Sequence, residues 1–256
     1  MLPACQASFV RIPLRDMESK PKTARTTPPE HQRRRTLKSL PAKPLHEKTT
    51  RLPGSRDPER TKAAILAAST KEFTEKGFGS ARINAIAERA GTNKRMLYHY
   101  FGGKEALYLA VLEGSYMQIR SAELELHLAE MDPEEGIRKL ILFTWNYYLE
   151  HPEFLSLLHT ENLHRAKFLK RSARIFDLNS PLIAQLDDLL RRGVESGVFR
   201  VSNDPVKVYI SIAALGFFYL SNRWTLSTIF RRDLTTKNAI DAWAEHIVAT
   251  VLSTLR

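Results

Sequence analysis

Between Ser80 and Leu112 the chain reads SARINAIAERAGTNKRMLYHYFGGKEALYLAVL, and no other stretch restricts the fold as much. Ile83, Ile86, Ala87 and Ala90 form one apolar face at helical spacing. Gly91 follows at the point where a left-handed residue ends a helix and turns the chain sharply. Asn93, Lys94 and Arg95 crowd the start of a second short helix, whose inner side is Met96, Leu97, Tyr100 and Phe101. Gly102-Gly103 breaks that helix, and Lys104 opens a longer one. This is the outline of a helix-turn-helix, whose second helix enters the major groove of DNA.

Charge supports a polyanionic partner, but its distribution matters more than the net +11. Residues 1–56 carry 13 Lys/Arg against 4 Asp/Glu, residues 57–105 carry 9 against 6, and residues 106–256 carry 17 against 18. The basic character therefore lies in the tail and, more weakly, around the helix-turn-helix. The large remainder has no electrostatic reason to touch DNA. The tail holds eight of the thirteen prolines and shows no persistent period, so residues 1–56 are expected to be a disordered basic tail. Its His31-Gln32-Arg33-Arg34-Arg35 run is either solvated or a sequence-independent phosphate contact. The single cysteine, Cys5, excludes an internal disulfide. No secretory signal is visible, and the apolar run Tyr209 to Leu220 is too short to span a bilayer. A soluble, cytoplasmic protein with no membrane partner is the expectation.

The order of elements reads as all-α. Asp57-Pro58 is a cap-and-proline start for a helix to about Lys76, ended by Gly77, and Ser80 is a plausible cap for the next. Residues 57–103 are thus expected to be a three-helix DNA-binding domain, and 104–256 a helical regulatory and dimerisation domain. In the latter, helices are expected from Lys104 through Leu128, from Pro133 to His151, from Pro152, from Ser180-Pro181 to Gly197, from Asp204-Pro205 to Phe230 with a break near Asn222, and from Thr236 to Leu255. The last two are apolar on many faces, with Ala213, Ala214, Gly216, Ala242, Ala249 and Val251 permitting close approach. They are read as a homodimer interface, two helices per subunit; the alternative is that they complete the internal core. Two readers spaced by turns of B-DNA would read a palindromic operator on double-stranded DNA.

Base reading needs donors and acceptors at the start of the second helix. Asn93, Lys94 and Arg95 are there with Thr92 just before, and Arg82, near the start of the first, suits a phosphate. A neutral helical domain attached to a reader is best explained as a switch controlled by a small-molecule effector. Candidate ligand residues are Trp145, Tyr148, His159, Asn162, Phe168, Phe218, Asn222 and Arg223, and Arg223 would suit a carboxylate. Enzyme motifs are missing: there is no HExxH, glycine-rich phosphate loop or GxSxG. His159 and His164 are five residues apart and do not share a helical face. No catalytic residue, metal or cofactor is expected. An activator, or an architectural DNA binder without an effector, is the alternative reading.

At Ile86-Ala87-Glu88-Arg89-Ala90-Gly91, Leu97-Tyr98-His99-Tyr100-Phe101 and Lys104-Glu105-Ala106-Leu107 the chain resembles the TetR family of transcriptional repressors. The resemblance covers about Pro58 to Leu112. It implies that Tyr98 and His99 face the groove or backbone and that Lys104 meets a phosphate. The C-terminal half, with HPEF, ENLH and YLSNRWTLS, looks like the subgroup repressing nicotinate and related aromatic-acid catabolism, which implies an aromatic or heterocyclic carboxylate as effector. Thr92, where the family often has Val, and the long basic tail are departures from the pattern.

Overall fold

The computed structural model describes residues 57–200 and 203–256; the basic tail read from the sequence lies outside them. Among the described residues there are nine α-helices, two short 3-10 turns and no strand. The N-terminal helices are α1 (Pro58–Ser80), α2 (Ile83–Arg89), α3 (Lys94–Phe101) and α4 (Lys104–Leu124). Then come α5 (Pro133–Glu150), α6 (Pro152–Leu163), α7 (Ile175–Glu195), α8 (Pro205–Phe230) and α9 (Lys237–Leu255). None of these helices is long and apolar enough to cross a membrane.

Cap-and-proline signals set several starts. The Asp57, Asp132 and Asp204 carboxylates accept backbone N–H groups in the first turns of α1, α5 and α8, each with proline at the helix start. Gly77 takes a φ of +68° and kinks the end of α1, which lets Phe78 fold back.

Four boundaries differ from expectation. Ser80 does not cap α2: Arg82 holds the cap position, and its N–H donates instead to the buried Glu72 carboxylate of α1, 3.2 Å away. Helix α4 stops at Leu124, and Leu128 belongs to a separate 3-10 turn after His127, whose φ is +52°. Helix α7 does not start at Ser180-Pro181 but at Ile175, with Pro181 inside it. The Ser172 hydroxyl accepts the N–H groups of Arg174 and Ile175, so the helix already has a cap, and exposed Pro181 removes a single donor. Helix α8 runs unbroken through Asn222, whose amide donates to the Phe218 carbonyl of the same helix.

The helices enclose two apolar cores. The larger is built around α5, with Ile137, Leu140, Ile141 and Trp145 packed against Leu186 and Leu189 of α7, Ile212 of α8 and Ile247 and Val251 of α9. The smaller joins Ile65 and Phe73 of α1, Ile86 of α2 and Leu97 of α3 to Leu107, Tyr108, Val111 and Leu112 of α4. Two residues from beyond α4 complete it: Leu157 of α6 and Phe168 from the connection between α6 and α7. The Phe168 ring lies 4.5 Å from Phe78 and 4.9 Å from Tyr108, centroid to centroid. The chain reaches that position because Glu161 accepts the N–H groups of Phe168 and Leu169 at 2.9 Å each, and because Lys167 and Arg171 both pair with Glu105 at the start of α4.

The tightest of the close approaches that depend on glycine is at Gly193. A Cβ at Gly193 of α7 would lie 2.0 Å from the Phe199 ring. Gly193→Ala is expected to destabilise the fold by about 1–3 kcal/mol through overpacking. Phe168→Ala is expected to cost about 3 kcal/mol, the transfer of a buried ring plus its cavity. Urea titration followed by circular dichroism checks both.

Candidate DNA-binding element and effector cavity

The helix-turn-helix is positioned from behind by α1. Glu72 of α1 is 4% exposed, caps α2 through Arg82 N–H and lies 3.6 Å from Arg89. Arg89 also makes a two-point contact with Glu75, which holds the Glu75 carboxyl below its usual range. Gly91 takes a φ of +61°, and Thr92 N–H returns to the Ala87 carbonyl, closing the end of α2. Leu97 is buried beneath α3, with Met96, Tyr100 and Phe101 partly buried around it. Tyr100 is therefore part of the packing.

Lys94, Arg95, Tyr98 and His99 are all exposed on α3, and the Lys94 ammonium stands 5.8 Å from the Tyr98 ring. Arg82 is exposed at the start of α2. Three other residues singled out from the sequence have local engagements. The Asn93 side-chain oxygen accepts Met96 N–H at 3.1 Å and caps α3, which fixes the side chain at the helix start and leaves its amide donors available. The Thr92 hydroxyl is buried in the turn without a partner, which keeps it from the DNA-facing surface. The Lys104 ammonium donates to the Gly79 carbonyl at 3.2 Å and lies 4.9 Å from the Phe78 ring, and desolvation lowers its pKa. Lys104 thus ties the start of α4 to the end of α1.

The eight ligand candidates are not brought together. Trp145 and Tyr148 lie in the larger core and Phe168 in the smaller. His159 and Asn162 are exposed on α6, and the Asn162 amide donates to the Leu158 carbonyl of its own helix. Phe218 is exposed beside an apolar groove of about 710 Å³ between α8 and α9, lined also by Tyr219, Phe230 and Trp243. Arg223 stacks on Trp224 at 5.6 Å.

A different cavity, of about 310 Å³, lies among α4, α5, α6, α7 and α8. Its walls include Tyr116, Arg120, Tyr148, Phe154, Asn179 and Tyr209, so Tyr148 alone of the sequence candidates reaches it. Arg120 is 5% exposed; one terminal nitrogen donates to Glu123, the other to the Tyr209 hydroxyl. Arg120 Nε and Glu123 Oε1 are buried with no partner. Burial raises the pKa of Tyr148 and Tyr209, and brings Tyr116 to about 12. The missed signal was a charged pair three residues apart, Arg120 and Glu123, on the face of α4 that continues Leu112, Tyr116 and Ile119 inward. Among the described residues no group of three or more His, Cys, Asp or Glu is placed to hold a metal.

Comparison with known proteins gives the same picture. The bacterial regulatory proteins of the tetR family match residues 65–111, and a tetracyclin repressor-like C-terminal domain matches residues 133–251. The chain is 39% identical over 198 residues to the HTH-type transcriptional repressor NicS of Pseudomonas putida, spanning 77% of this chain and 93% of that protein. It is 33% identical over 146 residues to the HTH-type transcriptional regulator RutR of Escherichia coli K12, covering 56% and 66% of the two chains. The transcriptional regulator SCO4942 of Streptomyces coelicolor shares the fold with a TM-score of 0.57 at 24% identity, over 76% of this chain and 97% of that one. So does FadR of Bacillus subtilis in complex with stearoyl-CoA, with a TM-score of 0.57 at 16% identity, over 76% and 100%. TetR regulators bind DNA and small-molecule effectors and are dimeric, and the family and these relatives are regulators rather than enzymes. The chain therefore belongs to the TetR family, and it is a DNA-binding transcriptional regulator.

Proposed function

We propose that the protein is a homodimeric repressor of a palindromic operator, released when a small ring-bearing acid enters the cavity beside Arg120. The observation that carries this is α4 itself. Its first turns, Leu107 to Leu112, complete the core under the helix-turn-helix, and its later turns supply Tyr116 and Arg120 to the cavity. Any occupant that shifts α4 also shifts the reader. The functional division then falls at Gly102-Gly103, between a reader over 57–103 and a regulatory part over 104–256. A cytoplasmic location follows from the operator.

In this reading Arg95 and Lys94 contact base edges, Tyr98 and His99 contact the groove wall or backbone, and Arg82 meets a phosphate. Asn93 acts through its remaining amide donors and through the start of α3 that it fixes. Lys104 orients α4 and adds positive charge near the backbone. Thr92 contributes through the turn.

The dimer is assigned to the outer faces of α8 and α9. Ile210, Ala214 and Phe218 are exposed along α8, and Ala242, His246 and Ala249 along α9. Three residues read from the sequence as interface formers face inward instead, and one of them, Ala213, lines the cavity beside Arg120. Gly216 is buried, where a Cβ would meet Tyr148 at 3.3 Å and Trp145 at 3.6 Å, and Val251 lies in the larger core. Their small size serves packing within the subunit.

Three outcomes test the reading. Arg95→Ala is expected to weaken operator binding by about 1–3 kcal/mol and to alter base preference. Lys104→Ala is expected to weaken binding evenly across sequences and to lower the salt slope by about one. Binding isotherms at several salt concentrations measure both, and unchanged isotherms for the pair would remove these roles. Phe218→Asp with Ile210→Asp is expected to yield monomers in analytical ultracentrifugation, with operator affinity lost at the same concentration. A wild-type protein that compacts or bends DNA without sequence preference would favour the architectural reading instead.

A further inference from the structure

The buried charge in the cavity wall, Arg120, and its partner Glu123 behind it are more informative than the cavity's shape. Arg120 is a fully charged group removed from water, and its present counter-ion is supplied by the protein, one turn along the same helix. That pairing is incomplete, since Arg120 Nε has no acceptor and Glu123 Oε1 no donor. The guanidinium lines the cavity, whereas the walls around it are tyrosine and phenylalanine rings. A volume of about 310 Å³ suits a single-ring compound rather than a long chain. We propose that Arg120 anchors a single-ring monocarboxylate in this cavity, and that Glu123 is the internal carboxylate whose charge the ligand replaces, Glu123 taking up one proton from solvent as the ligand binds.

Charge decides the exchange. Above pH 7, before binding, Arg120 and an ionised Glu123 are neutral as a pair. A second carboxylate would leave the buried cluster with a net negative charge, which a low-dielectric site does not tolerate. Protonating Glu123 restores neutrality, and its new O–H becomes a donor. The groups around Glu123 favour this response. Arg120 lies on its own helix, Tyr147 and Tyr148 on α5 and Tyr209 on α8, with Tyr116 of α4 beside Arg120 and Tyr209. The tyrosines are all raised by burial and stay neutral, while Arg120 stays charged. From α7 the wall contributes Asn179, which carries no charge. On α6, Glu161 holds the N–H groups of Phe168 and Leu169 through Oε1, keeps Oε2 buried without a partner and acts on Tyr116 of the wall. Glu123 is poised for the change, because burial outweighs the pull of Arg120 and pushes its carboxyl up to about 7.

The sign follows from linkage. A ligand that raises the Glu123 pKa binds most tightly where Glu123 is already protonated, so affinity is flat below pH 7 and falls about tenfold per pH unit above it. This inference rests on the effector reading but is tested separately from it. Benzoate, 4-hydroxybenzoate and pyridine-3-carboxylate, each with its matching amide, are titrated into the full-length dimer by calorimetry between pH 6 and 8.5. Buffers of different ionisation enthalpy count the protons. The expected result is that at least one acid binds, its amide does not, and about one proton is taken up at pH 8. Glu123→Gln should bind the same acid about tenfold tighter than wild type at pH 8, with no pH dependence. Arg120→Lys and Tyr209→Phe, checked for folding by circular dichroism, should weaken the acids only. Acids that bind with a flat pH profile overturn the proton exchange. Amides binding as well as acids, or no acid binding at all, overturn the Arg120 anchor. Operator release is followed in parallel: release by a neutral compound would keep the effector reading and remove this one. Proton-linked acid binding without release would do the reverse.

Discussion

The contact on which the arrangement depends is the one between Phe168 and the rings of Tyr108 and Phe78. Three short helices carrying a DNA reader cannot bury enough surface to stand alone. Here they borrow the first turns of α4, then Leu157 of α6 and a phenylalanine delivered by the connection that follows it. The Tyr108 hydroxyl lies 3.5 Å from the Leu157 carbonyl, which adds a polar contact between the same two regions. The reader is thus joined to the regulatory helices twice: covalently through Gly102-Gly103 into α4, and by packing through Phe168. A change among α4, α5 and α6 has two mechanical routes to α3.

Buried charge is used sparingly, and each use fixes an orientation. Glu72 holds α2 to α1 by capping it through Arg82 N–H. Glu161 shapes the chain that brings Phe168 inward by accepting two adjacent N–H groups. Each satisfies backbone donors that burial would otherwise leave unpaired. Arg120 and Glu123 differ, because they pair with each other rather than with backbone donors, and Arg120 does so in the wall of a cavity. Glu161 also keeps one buried oxygen, Oε2, without a partner, but Arg120 Nε is an unpartnered group on a residue that lines the cavity, where another polar group has room.

Glycine and proline mark where local rules sufficed and where they failed. Gly77, Gly91 and Gly102 take positive φ values at the breaks read from the sequence, because any other residue there is strained. Asp-Pro pairs at 57, 132 and 204 start helices as expected. Ser180-Pro181 looks alike locally but lies inside α7, because Ser172 had already capped that helix five residues before Asp177. Gly216, read as an interface residue for its size, is small because Tyr148 and Trp145 of α5 press on it. Size is visible in a sequence; the neighbour that requires it is not.

The sequence alone determined the helical class, the order of the elements, the helix-turn-helix from Ser80 to Leu112 and the position of Lys94 and Arg95 at the start of its second helix. These depend on periodicity, capping and turn chemistry, which act over a few residues. Tertiary structure alone decided that Thr92 turns its hydroxyl inward and that Phe168 belongs under the reader rather than in a ligand pocket. It also decided that the polar anchor of the cavity is Arg120 with Tyr209, residues 89 positions apart. Such a site forms only when α4, α5 and α8 pack together, and nothing within one turn of either residue signals the other.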